Sequence, residues 1–190
     1  MKGNVIFLTH ADVVIDPAVP VPDWGLNETG HARHAAFAET ADLSGVTAVY
    51  ASTEQKARDG AAPIAAKLGL PLQTRENLGE NDRSATGFLP PEEFWPVVEA
   101  FFAEPETSTR GWETAKGAQD RILGAVKDAI AEAPEGDIVI VSHGGVSNLL
   151  RCALLNLPIS RAEDQPHPKG GCWFSFPRSM DATPTDWTTI

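Results

Sequence analysis

Apolar positions along this chain follow two rhythms. Residues 5–8 and 138–141 are short unbroken apolar runs, the pattern of a strand buried on both faces, and residues 46–51 read as a further strand. Residues 70–74 and 172–176 are expected as two shorter ones. Between the strands the spacing is helical. Residues 27–41 are alanine-rich, Ile122, Val126, Ala129 and Ile130 recur within 112–133, and Val146, Leu149, Leu150, Ala153, Leu154 and Leu157 line one stripe after Gly144-Gly145. Ser52-Thr53-Glu54-Gln55 has the form of a capping box with Ser52 at the N-cap, opening a helix that runs to Leu68 and stops at Gly69. Pro63 and Pro96 each predict a kink or restart, whereas Pro91 suits a first helical turn. Pro17, Pro20 and Pro22 make 16–23 an extended loop, and 78–91 reads as a second loop. Strands alternating with helices predict an α/β fold: a three-layer sandwich whose mostly parallel central sheet carries helices on both faces.

The length, 190 residues, fits a single domain over 1–190. With 15 Lys+Arg against 26 Asp+Glu the net charge is −11, which argues against a nucleic-acid or anionic-membrane partner because both require a cationic surface. No apolar stretch approaches the ~20 residues of a membrane span. Cys152 and Cys172 set no disulfide framework, Cys152 reads as a small buried hydrophobe, and a reducing, cytoplasmic setting is expected.

Chemistry concentrates at two strand ends. The first strand closes Phe7-Leu8-Thr9-His10-Ala11 and a later one closes Val141-Ser142-His143-Gly144-Gly145. Open parallel sheets bind ligands beyond the carboxyl ends of their strands, so neighbouring strands would bring His10 and His143 to one rim, with both rings facing one cavity. Gly144-Gly145 lets backbone approach a ligand, and the helix opening there offers N–H groups to an anion. His31 and His34, three apart on the first helix, read as a solvated face. Trp24, Phe88, Trp95 and Trp112 are aromatic candidates for a pocket mouth.

Taken in order, these elements resemble the histidine phosphatase superfamily, also called phosphoglycerate mutase-like. The resemblance runs through the strand-His start, Asp23-Trp24-Gly25-Leu26-Asn27-Glu28-Thr29-Gly30, Ser52-Thr53 with Lys56-Ala57, Leu78-Gly79-Glu80, Gly111-Trp112-Glu113-Thr114 with Arg121, and Ser142-His143-Gly144-Gly145, spanning about 4–176. It implies a metal-independent, cofactor-free phosphatase acting on a phosphorylated small molecule or phosphoprotein. By the same resemblance His10 is the nucleophile that forms a phosphohistidine, His143 steadies the phosphoryl oxygens, and Glu80 is the proton donor, with Asp82 and Glu76 as alternatives. A degenerate member that binds an anion or partner without turnover is one rival reading; a phosphomutase is another.

The departures concern phosphate binding. Where the family has Arg-His-Gly this chain has Thr9-His10-Ala11, and the second phosphate-binding arginine aligns with Lys56, a point charge rather than a planar fork. Asp16 would add a negative charge near the anion. The expected phosphate contacts are therefore Thr9, Lys56, the backbone at Gly144, and Arg83 as a compensating cation. Two lost charge-assisted contacts correspond to ~10²–10⁴-fold in rate or affinity.

Overall fold

The computed structural model describes residues 2–190. Its strands are β1 (Asn4–Thr9), β2 (Val46–Ser52), β3 (Leu72–Arg75), β4 (Asp137–Ser142), β5 (Cys172–Pro177) and β6 (Thr188–Thr189); its helices are α1 (Glu28–Thr40), α2 (Gln55–Leu68), α3 (Pro91–Ala103), α4 (Ala115–Glu132) and α5 (Gly144–Leu154). The strands form one sheet in the order β3-β2-β4-β1-β5-β6. β1, β2, β3 and β4 pair in parallel, and β5 and β6 add an antiparallel edge.

Side chains alternate across this sheet and divide the core in two. Val5, Phe7, Tyr50, Ile138 and Ile140 face α3, α4 and α5, meeting Phe101, Ile122, Val126 and Leu149. Ile6, Leu8, Val49, Val139 and Val141 face α1 and α2, meeting Phe37, Ala57, Ala61 and Ile64. The result is the expected three-layer α/β sandwich. β1 and β4 are adjacent, with Thr9 opposite Ser142 in register, so both histidines follow neighbouring strand ends.

Several local expectations are corrected. Ser52 remains the last residue of β2, and its Oγ accepts the Glu54 N–H at 3.1 Å; the N-cap of α2 is Glu54. Pro63 lies inside an unbroken α2 and Pro96 inside an unbroken α3. Each removes one helical hydrogen bond, but burial of Ala61, Ile64 and Ala65, or of Val97, Phe101 and Phe102, against the sheet outweighs a penalty of ~3 kcal/mol. α5 ends at Leu154, leaving Leu157 exposed beyond the stripe. The proline-rich loop tightens into one short 3₁₀ turn at Val21–Asp23. β6, which carries no apolar signature, pairs with the start of β5.

Candidate active site

His10 sits one residue past β1 and is clamped through its backbone. Its N–H donates to the Ser142 carbonyl at 3.0 Å and its own carbonyl accepts from Gly171 N–H at 2.9 Å. Gly170, at φ +71°, packs so closely that a Cβ there would lie 2.1 Å from the His10 oxygen, so only glycine fits. The His10 Nδ1 lies 3.0 Å from the Ala11 carbonyl, an acceptor, which places the proton on Nδ1 and leaves Nε2 with its lone pair. Burial, followed by the neighbouring His143, pushes the His10 ring well below the ordinary histidine range, so it is neutral at pH 7.

His143 precedes α5, and its ring meets that of His10 edge-on at 5.1 Å between centroids. It is fully buried, and neither ring nitrogen is satisfied: Nε2 lies 3.3 Å from Glu54 Oε1 without hydrogen-bond alignment. Burial lowers its basicity, against the opposing pull of Glu54 and Glu80.

Glu80 reaches the same place from a loop fixed by two separate elements. Ser142 Oγ, at the end of β4, donates to the Leu78 carbonyl at 2.7 Å. Arg121 of α4 donates to the carbonyls of Asn77, Gly79 and Glu80 and grips Glu113 through both Nε and Nη2 at 2.9 and 2.8 Å. The Gly-Trp-Glu-Thr…Arg segment thus works as a brace under the Glu80 loop. The Glu80 carboxylate accepts from the Gly145 and Val146 N–H groups, each at 3.0 Å, and so satisfies the N-terminus of α5. Of the three acidic candidates, Glu80 is the one beside His143. Asp82 instead caps the Ser84 N–H at 2.8 Å, and both Asp82 and Glu76 are exposed.

Lys56 is buried on the first turn of α2, close enough for its charge to act on both histidines. It is not free. Its Nζ contacts Glu54 Oε2 at 2.6 Å and the Val21 carbonyl at 2.8 Å. Burial would raise the Glu54 carboxyl, but the charges of His143 and Lys56 and the Glu80 N–H together hold it at about 2. Thr9 is fully buried. Its hydroxyl lies 2.7 Å from Gln165 Oε1 and accepts Cys172 N–H at 3.0 Å, and Gln165 packs over Gly144. The hydroxyl is therefore committed to β5 and Gln165. Arg83 stacks on Phe94 and Trp112 at 5.3 and 5.6 Å, within charge reach of His143. Asp16 lies on the exposed loop, where it accepts the Ala18 N–H.

A cleft of about 1110 Å³ opens at this rim between the proline-rich loop and the Glu80 loop. Glu54, Glu80, Arg83, Phe88 and Trp112 line it. Neither histidine lines this cleft; Glu54 and Glu80 are present there. Trp24 packs tilted against the lining residue Phe88, whereas Trp95 is exposed and pairs with Arg161. Among the described residues no three His, Cys, Asp or Glu side chains converge to hold a metal ion, and no helix is long and apolar enough to cross a membrane.

Two residues were misread in the sequence, and two escaped it. Glu54 was visible two positions before Lys56, but as part of a helix cap. His34 is fully buried rather than solvated, accepting the Ala11 N–H. Gln165 and Asn81 carry no motif; Asn81 lines the cleft with its buried Nδ2 unpartnered.

The fold is thus a three-layer α/β sandwich with paired histidines at the carboxyl rim of two adjacent parallel strands. The model of the histidine phosphatase superfamily (branch 1) matches residues 17–176, and the chain belongs to that family. The match begins seven residues after His10, downstream of the Thr-His-Ala departure. Among solved structures, a mycobacterial glucosyl-3-phosphoglycerate phosphatase superposes with a TM-score of 0.76 at 20% identity, covering 92% of this chain and 89% of its own. YhfR of Bacillus stearothermophilus superposes at 0.75 with 19% identity, covering 91% and 90%. TTHB049 from Thermus thermophilus gives 0.69 with 16% identity, covering 98% and 99%. No curated protein matches the chain.

Proposed function

We propose that this protein hydrolyses phosphomonoesters of small molecules through a phosphohistidine on His10. The observation that carries this reading is the His10 ring itself, neutral, with Nδ1 turned to the Ala11 carbonyl and Nε2 left as a nucleophile beside His143. In the first step Nε2 attacks phosphorus, the ester P–O bond breaks, and Glu80 protonates the departing oxygen. His143, with two unsatisfied nitrogens, donates to a phosphoryl oxygen as its charge shifts. In the second step Glu80 takes a proton from water, the water oxygen bonds to phosphorus, and the P–N bond breaks to release phosphate and restore His10. For either step Glu80 must leave the Gly145 and Val146 N–H groups, which then become free to hold phosphoryl oxygens. The concave cleft, with aromatic and polar walls, favours a small phosphorylated molecule over a phosphoprotein. Two unpaired, buried cysteines support action in the cytoplasm.

The test is hydrolysis of an aryl phosphate together with mass detection of an acid-labile, base-stable phosphoryl adduct. The adduct is expected on wild type, absent from His10→Ala, and slow to hydrolyse in Glu80→Gln. A second reading, binding without turnover, is favoured by one specific fact: Lys56 and the α5 N-terminus are already occupied by the protein's own carboxylates. Turnover no greater than that of His10→Ala, with no adduct, would establish this second reading.

A further inference from the structure

Three donors or cations converge on the Glu54 carboxylate. Lys56 Nζ contacts Oε2 at 2.6 Å, the Glu80 N–H donates to Oε1 at 3.0 Å, and His143 Nε2 stands 3.3 Å from Oε1. A buried ammonium, a backbone N–H and an unsatisfied, fully buried imidazole are the components of an oxyanion site. Here that site is filled from within. The Glu54 side chain is still 14% exposed and forms part of the cleft wall, while Lys56 and His143 lie outside that wall. Glu54 therefore stands between the cleft and the groups that would hold a phosphoryl oxygen.

We propose that Glu54 is a resident anion and a specificity-determining residue: its carboxylate holds the oxyanion position between Lys56 and His143, and a phosphoryl group enters only as Glu54 turns out into the cleft. This rests on the function proposed above and adds a substrate class to it. A dianion and a carboxylate cannot share one buried ammonium without strong repulsion, so inorganic phosphate alone binds weakly. An ester whose leaving portion fills the cleft brings additional contacts, and these drive the displacement of Glu54. The preferred substrates are therefore phosphomonoesters with a bulky leaving portion, and the product phosphate inhibits little. The low pKa of Glu54 supports the assignment, since the carboxylate is ionised wherever phosphate is.

The experiment is calorimetric titration of inorganic phosphate into wild type, Glu54→Gln and the double variant Glu54→Gln/Lys56→Gln. Glutamine keeps the shape and a carbonyl for the Glu80 N–H while removing the charge. Glu54→Gln is expected to bind phosphate at least tenfold more tightly than wild type, and the double variant to lose that gain. Because Glu54→Gln leaves Lys56 buried without its partner, its melting temperature is measured alongside. Saturating phosphate should raise it by more than it raises that of wild type. Glu54→Leu provides a second removal of the charge, with the same expected tightening. Equal or weaker phosphate binding in both single variants, with no larger thermal shift, overturns the assignment. Adduct formation on His10 is scored separately. Tight phosphate in Glu54→Gln with no adduct would sink the catalytic reading and leave this one standing; an adduct in wild type with unchanged phosphate affinity would do the reverse.

Discussion

The Ala11 N–H donates to His34 Nε2 at 3.1 Å, a buried hydrogen bond that joins α1 to the residue whose carbonyl orients His10. An accepting Nε2 requires His34 to be neutral. Burial, with the charges of Arg33 and His31, lowers its pKa to about 4. The ring also fills the space above Gly60 of α2.

A Cβ at Gly60 would come within 2.6 Å of the His34 ring. Gly60→Ala should therefore destabilise the protein by ~1–3 kcal/mol, even though alanine gains ~1 kcal/mol in helix propensity. His34→Ala should cost ~2–4 kcal/mol, through a cavity and an unpaired Ala11 N–H. Urea denaturation of the double variant should show a loss smaller than the sum of the two, because removing the ring relieves the clash. Strict additivity would mean that ring and glycine are not in contact.

Stability should fall as pH drops below neutrality. The unfolded chain protonates His34 near 6.5 and the native chain only near 4, so between those values the unfolded state binds the extra proton and is favoured. That difference corresponds to ~3 kcal/mol. His10 and His143, both lowered mainly by burial, act in the same direction below 6.5. Glu54 extends the loss, since its contribution, present above 4.5, disappears as pH falls toward about 2. Denaturation midpoints between pH 7.5 and 4 should decline steadily, and His34→Gln should flatten part of that slope.

Thr9→Arg, which would supply the arginine of the family's Arg-His-Gly triplet, should not restore a phosphate clamp. Thr9 is fully buried and bonded to β5 and Gln165, leaving no volume for a guanidinium. The substitution should cost several kcal/mol, roughly 3 or more, through overpacking and an unpaired buried charge. Thermal melting and phosphate titration check it; a folded variant with tighter phosphate binding would show that Gln165 yields.

Arg121→Lys should lower turnover by ~10-fold or more with a modest change in melting temperature. A single ammonium cannot span three loop carbonyls and both Glu113 oxygens, so the Glu80 loop loses its brace. A kcat equal to that of wild type would remove Arg121 from the positioning of Glu80.

The central strands were legible because they are buried on both faces: the runs at 5–8 and 138–141 are short, unbroken and apolar, and the two strand-end histidines followed from them. The interrupted helices were misjudged because Pro63 and Pro96 report only a local cost, whereas the burial that offsets it depends on a sheet far away in the chain. His34 was misjudged for a related reason. Three-residue spacing from the exposed His31 cannot reveal that the turn between them carries His34 under the β1 loop. Glu54 was legible as a residue but not as a charge in the site.

By itself the sequence determined the layered α/β architecture, the family and the two histidines at neighbouring strand ends, because these depend on periodicity and on ordered short motifs. It also showed that Thr9 stands where the family's motif has arginine, since a missing arginine is missing in any conformation. Only the tertiary structure decided how the remaining charges pair. Lys56 and the α5 N-terminus, read as donors awaiting an anion, are instead paired internally: Lys56 with Glu54, two residues before it, and the Gly145 and Val146 N–H groups with Glu80, 65 and 66 residues earlier in the chain. Pairing of buried charge falls off steeply with distance and depends on which neighbours exclude water. That information arises with the packing of the two strand ends and is not written in either motif.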